Sequence, residues 1–151
     1  GERRALLGRR GLLGRGLRGG RVVATGCDLQ DRHGRRLRLL RERGVGNIFN
    51  APLIPGTGSR GFRDAWSQRL LPALDAFAPQ LLLISAGFDA HWRDPLAQLQ
   101  LDAEDYAWIT GELRALAARH AQGRIVSMLE GGYDLQALRE CSVAHVGVLH
   151  G

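Results

Sequence analysis

A chain of 151 residues with 44% hydrophobic and 24% charged residues is the size of one ordinary domain and can bury a core, which excludes disorder along its whole length. Its formal charge of +6 is unevenly placed: residues 1–43 hold 13 arginines against Glu2, Asp28, Asp31 and Glu42, whereas residues 44–151 hold eight arginines against 11 acids. The larger part is therefore mildly acidic, and any basic surface for nucleic acid has to come from the first segment.

In residues 1–43, glycines at 8, 11, 14, 16, 19, 20, 26 and 34 break every helical period. Only Arg21–Thr25 (RVVAT) resembles a strand, and Leu37–Arg43 has room for one or two turns of basic helix. We expect this Arg/Gly-rich segment to be poorly ordered. Its leucines, Leu6, Leu7, Leu12 and Leu13, are interrupted by Arg and Gly, so they form neither the apolar core of a signal peptide nor a membrane span. Cys27 and Cys141 stand far apart without a CxxC spacing, which gives neither a disulfide framework nor a zinc-cysteine site. A soluble protein of the reducing cytoplasm is expected.

From Gly44 the sequence becomes periodic. Val45–Ile54 (VGNIFNAPLI) reads as an extended segment closed by the turn cluster Pro55-Gly56-Thr57-Gly58. Phe62, Trp66, Leu70, Leu74 and Phe77 recur at three- and four-residue spacing, one face of a helix in which Pro72 predicts a kink. Leu81–Ser85 (LLLIS) is a continuous apolar run, the mark of a strand buried on both faces of a parallel sheet. Asp102, with Asp105 three residues on, starts a helix whose inner stripe is Tyr106, Ile109, Leu113, Leu116 and Ala117, and Gly123 ends it. Arg124–Leu129 (RIVSML) reads as a second buried strand. Leu135–Leu149 reads as a last amphipathic helix through Leu138, Cys141, Val143, Val146 and Leu149. Strands alternating with helices imply an α/β fold with right-handed crossovers and a parallel sheet.

In such sheets ligands bind outside the carboxyl ends of the strands. LLLIS leads into Ala86-Gly87-Phe88-Asp89-Ala90-His91-Trp92-Arg93-Asp94-Pro95-Leu96, and RIVSML leads into Glu130-Gly131-Gly132-Tyr133-Asp134-Leu135. Singly these residues are weak signals: Asp89 reads as readily as a cap or turn aspartate as a functional one, His91 as a structural histidine, and Gly131-Gly132-Tyr133 as a turn with a packed ring. Together SAGFDAHWRDPL and EGGYDL, in this order and preceded by GVGNIFNAPLI at residues 44–54, resemble the C-terminal part of the zinc-dependent histone deacetylase and acetylpolyamine amidohydrolase family.

That resemblance implies an incomplete arginase/deacetylase-like fold, a three-layer parallel sheet flanked by helices, and hydrolysis of acetyl-lysine or acetylpolyamine amides. It implies Asp89 as a carboxylate ligand of Zn2+, Tyr133 as the hydrogen-bond donor to the developing oxyanion, Leu96 as a wall of the substrate channel, and Gly131 and Gly132 as room for the acyl group. The family's other two zinc ligands come from an Asp-x-His-His-Gly string, and its acid/base pair is a His-His dyad. This chain has no His-His pair, and Asp31-Arg32-His33-Gly34 lacks the family's surroundings and spacing. One carboxylate does not hold a catalytic zinc, so the expectation is a truncated, inactive chain that does not retain the metal.

Residues 1–43 occupy the place of the metal-binding strand and loop. We read them as a frameshifted translation, or an error of the gene model, upstream of an intact family part at residues 44–151. The sequence leaves two other readings open. One is a non-catalytic remnant serving as an interaction module. The other is an Arg/Gly-rich nucleic-acid binder, disfavoured because no aromatic residue for base stacking precedes Phe49.

Overall fold

The computed structural model describes residues 4–7 and 21–25 as backbone strands, and residues 48–96 and 98–151 in full. Five strands form one parallel sheet in the order β3-β2-β1-β4-β5, where β1 is Arg4–Leu7, β2 Arg21–Thr25, β3 Ile48–Asn50, β4 Leu81–Ala86 and β5 Ile125–Leu129. The RVVAT strand and both apolar runs are present as expected. Arg4–Leu7 carries no strand signal in the sequence, yet it lies at the centre of the sheet, pairing Leu7 with Ala24 on one side and with Ile84 on the other. The basic helix expected at Leu37–Arg43, and the residues Cys27, Asp31 and His33, lie outside the described residues.

The helix expected over Phe62–Phe77 is built in three parts: α1 (Ser59–Ala65), a π-helical turn (Trp66–Leu70) and α2 (Leu71–Phe77). Pro72 has no N–H to give to the turn before it and would press on the carbonyl there. Instead of a sharp kink the backbone widens by one residue, with the Leu71 N–H donating to the Trp66 carbonyl. This keeps Phe62, Trp66, Leu70 and Leu74 on one buried face. Leu70, Leu74 and Leu82 are wholly buried, and each such side chain is worth roughly 1.5–3 kcal/mol in apolar burial.

Helix α3 (Ala103–His120) begins with a reciprocal capping box. The Asp102 side chain accepts from the Asp105 N–H at 3.2 Å, and the Asp105 carboxylate accepts from the Asp102 N–H at 3.3 Å. Asp105 is fully buried and also accepts from Ser59 Oγ at 2.6 Å and Arg63 Nε at 2.8 Å, which ties the start of α3 to α1. The inner stripe of α3 is the expected one: Tyr106, Ile109, Leu113, Leu116 and Ala117 are all buried.

Two expectations fail at the end of the chain. β5 is not buried on both faces: Val126 and Met128 are 46% and 44% exposed, whereas Ile125 and Ser127 on the opposite face are partly buried, Ser127 against His145 of α4 (Leu135–His150). The inner stripe of α4 is only partly the expected one: Cys141 is buried and Leu138 packs against the core, but the two valines are not on that face. Val143 and Val146 are 68% and 58% exposed, while Ala137, Cys141 and His145 are buried. A histidine can take that place because its polar atoms are matched. The Thr110 hydroxyl donates to the Tyr106 carbonyl at 2.6 Å, and so accepts from Nδ1–H of His145 at 2.7 Å. Nε2 is then left to accept from the Ser127 hydroxyl at 2.9 Å. The chain Ser127–His145–Thr110 joins β5, α4 and α3, and burial pushes the His145 pKa below its usual 6.5.

Candidate active site at the carboxyl ends of β4 and β5

β4 and β5 are adjacent and parallel, with Ala86 opposite Leu129, so the two glycine-bearing loops leave the same rim of the sheet. The pairing runs on into the loops: the Glu130 N–H donates to the Ala86 carbonyl at 2.9 Å, and the Phe88 N–H to the Gly131 carbonyl at 2.8 Å. That extra rung puts Gly131 directly against the next side chain, Asp89. A Cβ on Gly131 would stand 2.6 Å from Oδ2 of Asp89, and one on Gly87 would stand 3.2 Å from Oδ1. The Asp89 carboxylate, only 2% exposed, is therefore wedged between two backbones that glycine alone allows to come so close.

The loop after β4 is held by backbone bonds. Trp92 N–H donates to the Leu101 carbonyl at 3.0 Å, Leu101 N–H to the Ala90 carbonyl at 3.2 Å, and Asp94 N–H to the His91 carbonyl at 2.9 Å. His91 is 2% exposed, stacks on Trp92 and accepts the Arg93 N–H on Nδ1 at 3.2 Å, so its place is structural. Arg93 lies over the Trp92 ring at 4.6 Å and donates to Gln136 at 2.8 Å, bringing this loop to the first turn of α4. Asp134 caps that helix, accepting from the Ala137 N–H at 2.7 Å.

The other residues singled out in the sequence divide into two kinds. Gly131 and Gly132 are partly buried, and Gly132 has φ +137°, a conformation open to glycine. Leu96 and Tyr133 are exposed, at 64% and 57%, on the outer side of the loops. Sequence reasoning assigns no part to Asp94, which the structure places between them. Its Oδ1 accepts from the Leu96 N–H at 2.9 Å and its Oδ2 from the Tyr133 N–H at 2.7 Å. The Asp-Pro dipeptide at 94–95 signals an aspartate turn, which covers the first bond and not the second, 39 residues away.

The family model described as histone deacetylase domain matches residues 26–149, most of the chain. The chain belongs to the histone deacetylase family. It is 48% identical over 104 residues to type-2 histone deacetylase 1 of Dictyostelium discoideum, covering 69% of this chain and 7% of that protein. It is 41% identical over 110 residues to the histone deacetylase-like amidohydrolase of Pseudomonas aeruginosa, covering 73% and 29%. It is 37% identical over 129 residues to the human polyamine deacetylase HDAC10, covering 79% and 19%. The chain thus spans less than a third of the length of each of these relatives.

Among solved structures, the HDA15 HD domain superposes with a TM-score of 0.79 at 24% identity, covering 98% of this chain and 44% of that one. The histone deacetylase Clr3 gives 0.79 at 22%, covering 98% and 27%. The fold is therefore part of a deacetylase fold, and the family match starts at residue 26, upstream of the Gly44 at which the motifs begin. Among the described residues no helix is long and apolar enough to cross a membrane.

Proposed function

We propose that this chain carries the part of a deacetylase site that grips and polarises an acylated amine, for hydrolysis of acetyl-lysine or acetylpolyamine amides. The observation that carries this reading is the Asp89 carboxylate, buried against Gly131 in the same loop that presents the exposed Tyr133. In this reading Asp89 is a metal ligand, Tyr133 donates its hydroxyl to the carbonyl oxygen as it gains charge, Leu96 flanks the acylated chain, and Gly131 and Gly132 leave space for the acyl group. An amide is a poor electrophile, and one such donor is worth roughly 3 kcal/mol in the transition state.

The family's zinc does not fit the described residues by themselves. A catalytic zinc takes three protein ligands, and among the described residues no group of three His, Cys, Asp or Glu side chains could hold a metal ion. These residues by themselves support no step through the metal, and because the sequence holds no His-His pair to supply the remaining ligands and the base, we infer that the 151-residue chain is inactive alone. The same shortage of donors supports the second reading, a non-catalytic module. Elemental analysis of the purified chain after dialysis, alongside turnover of an acetyl-lysine peptide, tests both. Less than stoichiometric zinc and no turnover are expected. Retained zinc with hydrolysis would show that the missing donors lie among residues 1–47.

A further inference from the structure

The Asp94 carboxylate is 5% exposed, and both of its oxygens accept a backbone N–H, from Leu96 at 2.9 Å and from Tyr133 at 2.7 Å. Only a carboxylate can do this. Asparagine has a single acceptor oxygen, and its amide nitrogen would meet the second N–H donor to donor. The short distances are those of charge-assisted bonds. The two amides belong to the two exposed residues proposed as channel wall and oxyanion donor, which lie on different loops.

Tyr133 needs such an anchor because of what precedes it. Gly131 and Gly132 are the least restrained residues a chain can contain, and Gly132 sits at φ +137°. The Phe88 N–H holds Gly131 at the head of that pair and the cap of α4 begins at Asp134, so the bond from the Tyr133 N–H to Asp94 is the tie at the residue between them. Asp94 is itself fixed, through its own N–H to the His91 carbonyl at 2.9 Å, and through His91, which is buried and stacked on Trp92.

We propose that Asp94 is a positioning residue that sets Tyr133 and Leu96 in one fixed relation across the two loops. The inference rests on the functional reading proposed for those two residues. Its consequence for chemistry is steep, since a displacement of about 1 Å in a catalytic group can cost on the order of 10²-fold in rate.

Amide hydrogen exchange followed by 15N NMR on the 151-residue chain tests it without any need for turnover. In Asp94→Ala the Tyr133 and Leu96 amides should both lose protection, by about 10- to 100-fold. In Asp94→Asn one of the two should keep most of its protection. The amides of Leu82, Ile84 and Leu116 in the core should exchange as in the unaltered protein. Unchanged exchange at Tyr133 and Leu96, or acceleration only in step with the core amides, would overturn the proposal.

A second measurement needs no variant: a through-hydrogen-bond coupling between the Tyr133 amide nitrogen and the Asp94 carboxyl carbon should be detectable in the unaltered chain, and its absence would also overturn it. Failure of the functional reading is distinct. It would appear as a zinc-competent chain with Tyr133 held by Asp94 and yet no dependence of turnover on Tyr133.

Discussion

Gly131 stands so close to Asp89 that a single added methyl group would lie 2.6 Å from Oδ2 and 2.8 Å from Cγ of the carboxylate. A contact of that kind cannot be relieved by the far end of a flexible side chain, because the buried Asp89 group has little room to move. Gly131→Ala should therefore lower the unfolding free energy by about 1–3 kcal/mol, the usual cost of overpacking. Gly87→Ala, whose Cβ would stand 3.2 Å from Asp89, should cost less. Urea unfolding of both variants checks the order, and a reversed order would place the tighter contact at Gly87.

Asp105 is the buried centre of the junction between α1 and α3, accepting from Ser59, Arg63 and its own cap residue Asp102. Asp105→Ala leaves those donors without their acceptor and should destabilise the fold by about 3–5 kcal/mol. Arg63→Ala should cost less, since it removes one of these three bonds and leaves Ser59 Oγ and the Asp102 N–H on the carboxylate. The two denaturation midpoints decide this. Equal losses would mean that the Arg63 ion pair accounts for the whole effect.

His145 is buried in its neutral form, and burial depresses its pKa in the folded state. The unfolded chain, with a histidine near 6.5, then binds the proton more readily than the folded one. Stability from this group is fully present above 6.5 and is lost as pH falls from there through the depressed folded value. The unfolding free energy should accordingly drop as pH is lowered from about 6.5 to about 5, above the range where most carboxylates titrate. His145→Gln should flatten that slope. A slope unaltered in the variant would assign it to another group.

Cys141 is wholly buried on the inner side of α4, and burial raises its thiol pKa to about 12. The thiolate is the reactive form. Cys141 should therefore resist alkylation at neutral pH in the folded chain and react at the ordinary rate once urea unfolds it. Peptide mapping of the adducts reads this at the single site. Rapid labelling of Cys141 without denaturant would show that α4 opens far more readily than its packing implies.

In a chain whose upstream residues complete the metal-ligand set, Asp89 and Tyr133 should separate cleanly. Asp89→Asn should weaken zinc retention, because a neutral amide oxygen is a poorer ligand than a carboxylate. Tyr133→Phe should leave the metal bound and lower the rate by roughly 10² to 10³. Elemental analysis beside turnover resolves the two. Equal loss of metal in both variants would remove Tyr133 from the oxyanion role.

By itself the sequence determined where most elements from Gly44 onward lie, and the one strand of RVVAT before them, because their signals are local. Period and capping residues placed α3 with its Asp102 start and inner stripe, the LLLIS and RIVSML runs marked β4 and β5, and RVVAT marked β2. It also determined the family, since SAGFDAHWRDPL and EGGYDL are specific as strings, and the family match covers residues 26–149.

Tertiary structure decided what depends on neighbours distant in the chain. Arg4–Leu7 has no strand signature, yet it lies at the centre of the sheet with a paired strand on each side. Val143 and Val146 face outward while His145 faces in, because Ser127 and Thr110 supply the partners that let a polar ring be buried. The proline expected to kink a helix is absorbed in a π-helical turn that preserves the core face. Asp94, an ordinary turn residue by its sequence, reaches across 39 residues to Tyr133. Hydrogen bonds between loops depend on how β4 and β5 are registered, and no periodicity along either strand encodes that.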